Sequence, residues 1–244
     1  MAEIKILCLI PARYGSKGIP NKNIKMFGDK PLLAWSIEQA KKSKYADKMR
    51  IIVSTDSEEY KKIAKSYGAE VPFLRPKKIS QDLSNDYDFI KHAIDWLKKN
   101  ESYNPDLILQ LRPTQPCRKV EIINNCLEMF IKNIDTYDSL RTVVPFEKSP
   151  YKMYSIQKSN LTPLFTTFNN GYENIIEPFN QARQILPQCY LHNGYVDITK
   201  ANIVENGKIS GERIFPFIME KNETIDIDTE DDWKNAVKNK LINQ

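Results

Sequence analysis

Ile4 to Ile10 form an apolar run stopped by Pro11, and this run opens an alternation of strand-like and helix-like segments that restricts the chain to an α/β fold. Leu32 to Lys42 carries apolar residues at helical spacing, and Arg50 to Ser54 reads as a second strand. Glu58 to Tyr67 follows as a helix closed by Gly68, then Phe89 to Lys98 as a helix with Ile90, Ala93, Ile94 and Leu97 on one side. Asp106 to Leu111 is a third strand, Lys119 to Asn133 a helix, and Ser139 to Val144 a strand ended by Pro145. Such alternation predicts a doubly wound, mostly parallel sheet covered by helices.

From Phe146 to Gln188 the alternation gives way to Pro, Asn, Gln and aromatic residues, among them Pro150, Pro163, Asn169-Asn170-Gly171 and Pro178. A structureless loop of that length is uncommon inside a compact domain, so residues 146–188 read as a functional or interfacial insertion. Strand-like patterns return at Tyr195 to Thr199, Ile214 to Met219 and Thr224 to Ile227, and Glu230 to Leu241 closes as a helix. Residues 1–244 are expected to form one domain.

At 244 residues the chain can bury a sizeable core without a disulfide or metal staple. Cys8, Cys117, Cys126 and Cys189 are far apart, and with only His92 and His192 beside them no zinc-ligand spacing is present. The net charge of +5 comes from lysines interleaved with acids, as from Glu58 to Lys65, a pattern of solvated helix faces that argues against a nucleic-acid partner. Ile6 to Ile10 is too short to span a membrane and lacks a signal-peptide pattern, so the expected location is the cytoplasm, without membrane association.

Directly after the first strand, Pro11 to Asn23 holds Gly15 and Gly18, the small Ala12 and Ser16, and the cations Arg13, Lys17 and Lys22. Ligands of open α/β sheets sit beyond the carboxyl ends of the strands. Glycines let backbone N–H groups approach an anion, and the three cations can neutralise a polyphosphate. The segment fits neither GxGxxG nor GxxxxGK[ST]; on its own a Gly/Lys loop of this kind also suits a solvated surface turn, and its position after the first buried strand favours a different kind of phosphate loop. Near the other end, an extended Thr224 to Asp228 would turn Asp226 and Asp228 to one face and Ile225 and Ile227 to the other. Two such carboxylates suit Mg²⁺, which keeps waters and phosphate oxygens in its shell, and they also suit a solvent-facing edge strand. Thr229 followed by Glu230, Asp231 and Asp232 reads as an N-cap with an acidic first turn.

The segments Ile10-Pro11-Ala12-Arg13, Ser16-Lys17-Gly18-Ile19-Pro20 and Lys22-Asn23 resemble the N-terminal signature of the CMP-sialic acid synthetases. The likeness extends through Ser54-Thr55-Asp56, Leu74-Arg75-Pro76, Leu111-Arg112-Pro113-Thr114, Arg183-Gln184, Leu186-Pro187-Gln188, Asn193-Gly194 and Asp226-Ile227-Asp228-Thr229, in the family's order. It implies a cytidylyltransferase that moves CMP from CTP to the anomeric hydroxyl of an acidic sugar and releases pyrophosphate. By resemblance, Arg13 and Lys22 hold the triphosphate, with Ala12, Gly15, Ser16 and Lys17 around them. Asn23, Arg75 and Asp82 serve the nucleoside, although Arg75 also suits an exposed loop before Pro76, and Asp82 a turn cap. Lys152, Arg183, Gln184, Asn193 and Arg112 fall where the family meets the sugar, and Asp226 and Asp228 where it holds Mg²⁺. The resemblance also implies a homodimer built through the aromatic insertion, which contains Tyr151, Tyr154, Phe165, Phe168, Tyr172 and Phe179.

Two departures bear on the sugar. Arg112 stands where the sialic acid enzymes often have Gln, and Leu191-His192 replaces an Arg-Pro pair that often precedes Asn-Gly. They imply a related acidic sugar, such as legionaminic acid or an amino-modified octulosonic acid, rather than N-acetylneuraminate. Two other readings stay open from the residues alone: a sugar nucleotidyltransferase with another base, and a non-catalytic nucleotide-binding protein of the same fold.

Overall fold

A computed structural model describes residues 4–166, 177–220 and 223–242. Phe168, Asn169, Asn170, Gly171 and Tyr172 of the insertion lie outside the described residues. In chain order the elements are β1 (Ile6–Pro11), β2 (Met26–Phe27), β3 (Lys30–Pro31), α1 (Leu32–Lys41), β4 (Met49–Ser54), α2 (Glu58–Ser66), α3 (Asp86–Glu101) and β5 (Leu107–Gln110). Then come α4 (Val120–Lys132), β6 (Ser139–Phe146), β7 (Tyr154–Gln157), β8 (Asn160–Pro163), β9 (Cys189–Lys200), α5 (Ala201–Glu205), β10 (Ile214–Ile218) and α6 (Glu230–Ile242).

The main sheet runs in the order β10-β6-β9-β5-β1-β4. β1 is parallel to β4 and β5, and β10 is parallel to β6, while β9 is antiparallel to both of its neighbours. β1 shows why the sheet lies inside the molecule. Ile6, Cys8 and Ile10 point into one core with α1, α2 and α4, whereas Leu7 and Leu9 point into a second core with α3 and α5. All five side chains are fully buried, as the two-residue period of a doubly covered strand requires. A third cluster, Ile19, Phe27, Leu32, Ile227, Trp233 and Ala236, packs α6 against the segment after β1.

Local chemistry sets the helix ends. Ser57 caps α2 by accepting from the Tyr60 N–H, Asn85 caps α3 by accepting from the Asp88 N–H, and Gly68 ends the α2 region with a φ of 87°. Thr229 and Asp232 form a reciprocal cap on α6: Asp232 N–H donates to Thr229 Oγ1, and Thr229 N–H donates to Asp232 Oδ2.

Three regions differ from the sequence expectation. Thr224 to Ile227 is not a strand, because its backbone leaves the sheet and binds the loop after β5, with Ile227 N–H donating to the Thr114 carbonyl. The strand expected at Tyr195 to Thr199 runs from Cys189, carried through a bulge in which β6 pairing jumps from Val143–His192 to Arg141–Asp197. Within residues 146–188, read only as an insertion with no elements assigned, β7 and β8 form an antiparallel hairpin.

Candidate functional site

A solvent-open cleft of about 350 Å³ lies past the carboxyl ends of β1, β4 and β5, where the chain leaves the central strand to opposite sides. Its lining includes Arg13, Ser16, Lys17, Lys22 and Asn23 from the first loop, Arg75, Arg112, and Asp228. Residues 206 positions apart in the sequence, Lys22 and Asp228, therefore share one cavity.

The first loop is tied down at both ends. Ala12 N–H donates to the Ser54 carbonyl, and Tyr14 N–H donates to Asp56 Oδ1, which is what Ser54-Thr55-Asp56 contributes to the site. Buried Asn23 donates its amide to the Arg13 carbonyl, and Ile19 is buried in the third core. Gly18 allows the closest approach: a Cβ there would stand 2.3 Å from the Asp228 carbonyl oxygen. Gly15, with a φ of 77°, supplies the left-handed turn between Arg13 and Ser16. Lys22, partly buried, donates to the Ile227 carbonyl at 2.8 Å and to Asp228 Oδ1 at 2.9 Å. Arg13 and Lys17 both pair with Asp82, at 2.9 and 2.6 Å, so in this state one carboxylate balances two cations of the loop. The Lys17 and Arg13 hydrogen bonds and charges hold the Asp82 carboxyl below its ordinary range.

Arg75 is buried. Its guanidinium donates to the Ser54 hydroxyl and carbonyl and lies 4.8 Å from the Phe89 ring centroid, while burial pushes its pKa down to about 10. The exposed-loop alternative for this residue is thereby removed. Ile225 and Ile227 face the third core and Asp226 and Asp228 face outward, so the expected alternation holds without a strand. Crowding by protein atoms pushes the Asp226 carboxyl upward, the Thr114 hydrogen bond opposes this, and the charge of Asp228 adds to the rise. Asp228 lines the cleft; Asp226 stands beside it, against Thr114.

The floor of the cleft is an ionic cluster. Arg112 donates to Asp86 Oδ2 at 2.5 Å and to Asp197 Oδ2, and Gln110 donates to the same Asp86 oxygen. Asp197, buried on β9, also meets Arg141 at 2.8 Å and His192 Nε2 at 2.7 Å. Burial alone would raise the Asp197 carboxyl, but the His192 hydrogen bond and the Arg112 and Arg141 charges outweigh it and hold the carboxyl well below its ordinary range. Arg118, buried beneath, donates to the carbonyls of Arg112 and Tyr195 and so ties the loop after β5 to β9. Both departures from the sialic acid pattern, Arg112 and His192, thus meet on one carboxylate.

Not every expected residue reaches the cleft. Arg183 and Gln184 are exposed on a 3₁₀ turn, and Lys152 lies against the Phe179 carbonyl, all three outside the cleft lining. Asn193 braces the β9 bulge: its Oδ1 lies 2.7 Å from the Thr142 hydroxyl and accepts from the Tyr195 N–H. Ala12, Gly15 and Asp82 support the loop without lining the cleft. Sequence reading missed Gln81, Ser84, Asn85, Asp86, Phe89 and Thr114, which do line it. Ser84-Asn85-Asp86 announces itself only as a helix start, and nothing in its spacing marks it as a wall of a site.

Comparison with known proteins gives the family. A family model described as Cytidylyltransferase matches residues 7–161. The chain is 34% identical over 238 residues to post-translational flagellin modification protein B of Campylobacter coli, covering 94% of this chain and 92% of that one. It is also 34% identical to CMP-N,N'-diacetyllegionaminic acid synthase of Legionella pneumophila, covering 99% and 98%. The solved structure of CMP:2-keto-3-deoxy-manno-octonic acid synthetase complexed with CTP is similar in fold, with a TM-score of 0.68 at 15% identity over 98% of this chain and 100% of that one. A loop of cations sharing its cleft with Asp228 past the ends of the parallel strands β1, β4 and β5, a family match over more than half the chain, and relatives matched over nearly their full length together make this chain a member of the cytidylyltransferase family.

Proposed function

We propose that the protein transfers CMP from CTP to the anomeric hydroxyl of a nonulosonic or related acidic sugar and releases pyrophosphate. The observation that carries this reading is the convergence of Arg13, Lys17, Lys22 and Asp228 in one cleft of a cytidylyltransferase-family chain. The relatives named for legionaminic acid and for pseudaminic acid, the latter at 33% identity over 96% of this chain, support the sugar class.

In this reading Arg13 and Lys17 leave Asp82 and Lys22 turns from Asp228 to take up the triphosphate, spreading positive charge over oxygens that gain negative charge as the α-phosphorus is attacked. Arg75 and Asn23 hold the nucleoside side, with the buried Arg75 guanidinium fixed by Ser54 and Phe89. Asp228 accepts the proton of the attacking hydroxyl. Asp226 and Asp228 suit Mg²⁺: crowding by protein atoms, and to a lesser degree the charge of Asp228, raise Asp226, a cost that a bound cation relieves. Among the described residues no group of three or more His, Cys, Asp or Glu gathers, so such an ion would rely on phosphate oxygens and water for the rest of its shell. When bound, it would supply charge stabilisation to the transferring phosphoryl group.

The protein acts in the cytoplasm as a homodimer in this reading. Among the described residues no helix is long and apolar enough to cross a membrane, and the β7–β8 hairpin and its flank expose Ile156, Leu161, Leu164 and Phe165, a surface suited to a second copy. A pyrophosphate-release assay that crosses the four nucleoside triphosphates with a panel of acidic sugars, with and without Mg²⁺, tests the proposal. Release confined to CTP with an acidic sugar and Mg²⁺ is expected; release with another nucleotide, or none with any sugar, overturns it. A light-scattering mass of one chain would remove the dimer.

A further inference from the structure

We infer that Asp197 is a positioning residue for the acceptor sugar, acting by fixing the Arg112 guanidinium at the cleft floor. The inference rests on the sugar-transferase reading above and adds to it a residue outside the cleft lining.

Arg112 is the only cleft-lining cation, among the described residues, that is anchored through two nitrogens to two different carboxylates: Nη2 on Asp86 and Nη1 on Asp197. Its third side faces Gly194, where a φ of 62° and the lack of a side chain leave the guanidinium room; a Cβ there would lie 3.3 Å from Nη1. Its own carbonyl is held by Arg118. The planar fork therefore has a single orientation, and N–H groups not spent on Asp86 and Asp197 remain for a ligand.

Charge supplies the second half of the case. Asp86 and Asp197 offset Arg112 and Arg141, so the cluster adds little net attraction for an anion. A guanidinium balanced in this way selects by direction, through where its N–H groups point, more than by charge. Asp197 is the element that can set this direction, because it alone joins Arg112, Arg141 and His192, and it is itself buried. Removing it leaves Arg112 tethered only at Asp86, free to swing. The phosphate-binding end, which contains Arg13, Lys17, Lys22 and Asp228, shares no ion pair with the cluster.

The test compares wild type with Asp197→Asn, Arg112→Gln, Arg112→Lys and the double variant Asp197→Asn/Arg112→Gln, measuring KM for CTP and for the best sugar acid in the pyrophosphate assay, and thermal melting for each. Asp197→Asn is expected to raise the sugar KM by about tenfold or more while the CTP KM stays within about twofold, the scale of a misplaced binding group. The double variant is expected to be no worse than Arg112→Gln alone, since both changes remove one interaction. Arg112→Lys, a point charge that cannot span two carboxylates, is expected to behave like Arg112→Gln. Equal rises in both KM values, multiplicative effects in the double variant, or wild-type behaviour of Arg112→Lys each overturn the inference. If Asp197→Asn does not fold, Arg112→Lys decides alone, because it leaves Asp197 paired with Arg141 and His192. Wild-type protein inactive with every sugar acid defeats the transferase reading instead, a result distinguishable from normal wild-type turnover with unchanged variants.

Discussion

The two ends of the cleft are built on opposite principles. At the phosphate-loop end, cations sit on a short continuous segment, Arg13 to Lys22, and two of them pair with Asp82, an exposed carboxylate on a separate loop. At the floor, Arg112, Arg141 and His192 converge from separate elements on the buried Asp197. Exposed pairs exchange easily with water and ions, so the first end can give up its partners to a polyanion. Buried pairs cannot be broken singly without leaving a bare charge in a low-dielectric site, so the second end keeps its shape. One end is built to exchange partners and the other to hold a geometry.

Breaking the floor should have the largest effect. Asp197→Ala removes the carboxylate shared by Arg112 and Arg141, leaving Arg112 only Asp86, and is expected to lower stability by about 3–5 kcal/mol, read from the urea midpoint; a change near zero would mean that the cluster is open to water. Next in size, Asp228→Asn should cut Mg²⁺-dependent pyrophosphate release by about 100-fold, the scale of losing one charge-stabilising or proton-accepting group, with the melting temperature little changed. Near-normal turnover at saturating Mg²⁺ would take Asp228 out of the chemistry.

Asp82→Asn sharpens the contrast. It frees Arg13 and Lys17, so CTP binding measured by calorimetry should tighten a few-fold and the unfolding midpoint should stay in place; weakened binding would instead assign Asp82 to the nucleoside. The smallest effect belongs to Asp226. Its folded-state pKa lies above the ordinary carboxyl value, so its ionisation costs stability, a cost absent below the unfolded pKa of about 4 and fully present once pH exceeds the raised folded value. Asp226→Asn should therefore raise the metal-free melting temperature slightly at neutral pH and leave it unchanged near pH 3.

What the sequence disclosed follows the same division. The phosphate loop could be read because its glycines and cations are contiguous after a buried strand, and Asp226 and Asp228 because alternation with Ile225 and Ile227 survives even where the strand does not. Strand–helix alternation likewise carried β1, β4, β5 and β6 in their chain order, but not the short β2 and β3. The floor was hidden because its members come from a helix start, a loop, two strands and a bulge, and only the antiparallel insertion of β9 between β5 and β6 brings Asp197 beside Arg112. Arg183 and Gln184 were placed by resemblance alone, and within a single chain they stand on the surface away from the cleft.

The bond from Lys22 to Asp228 also has a consequence in time. Its partners are 206 residues apart, and at a synthesis rate of 5–20 residues per second the lysine waits roughly 10 to 40 s for its carboxylate to be made. During that interval β1, α1 and β4 already have one another to pack against, while Ile19, Phe27 and Leu32 still lack Ile227 and Trp233. A nascent chain would thus carry an apolar, cationic flap until its last helix arrives, which makes the C-terminal helix the step that both seals the fold and completes the site.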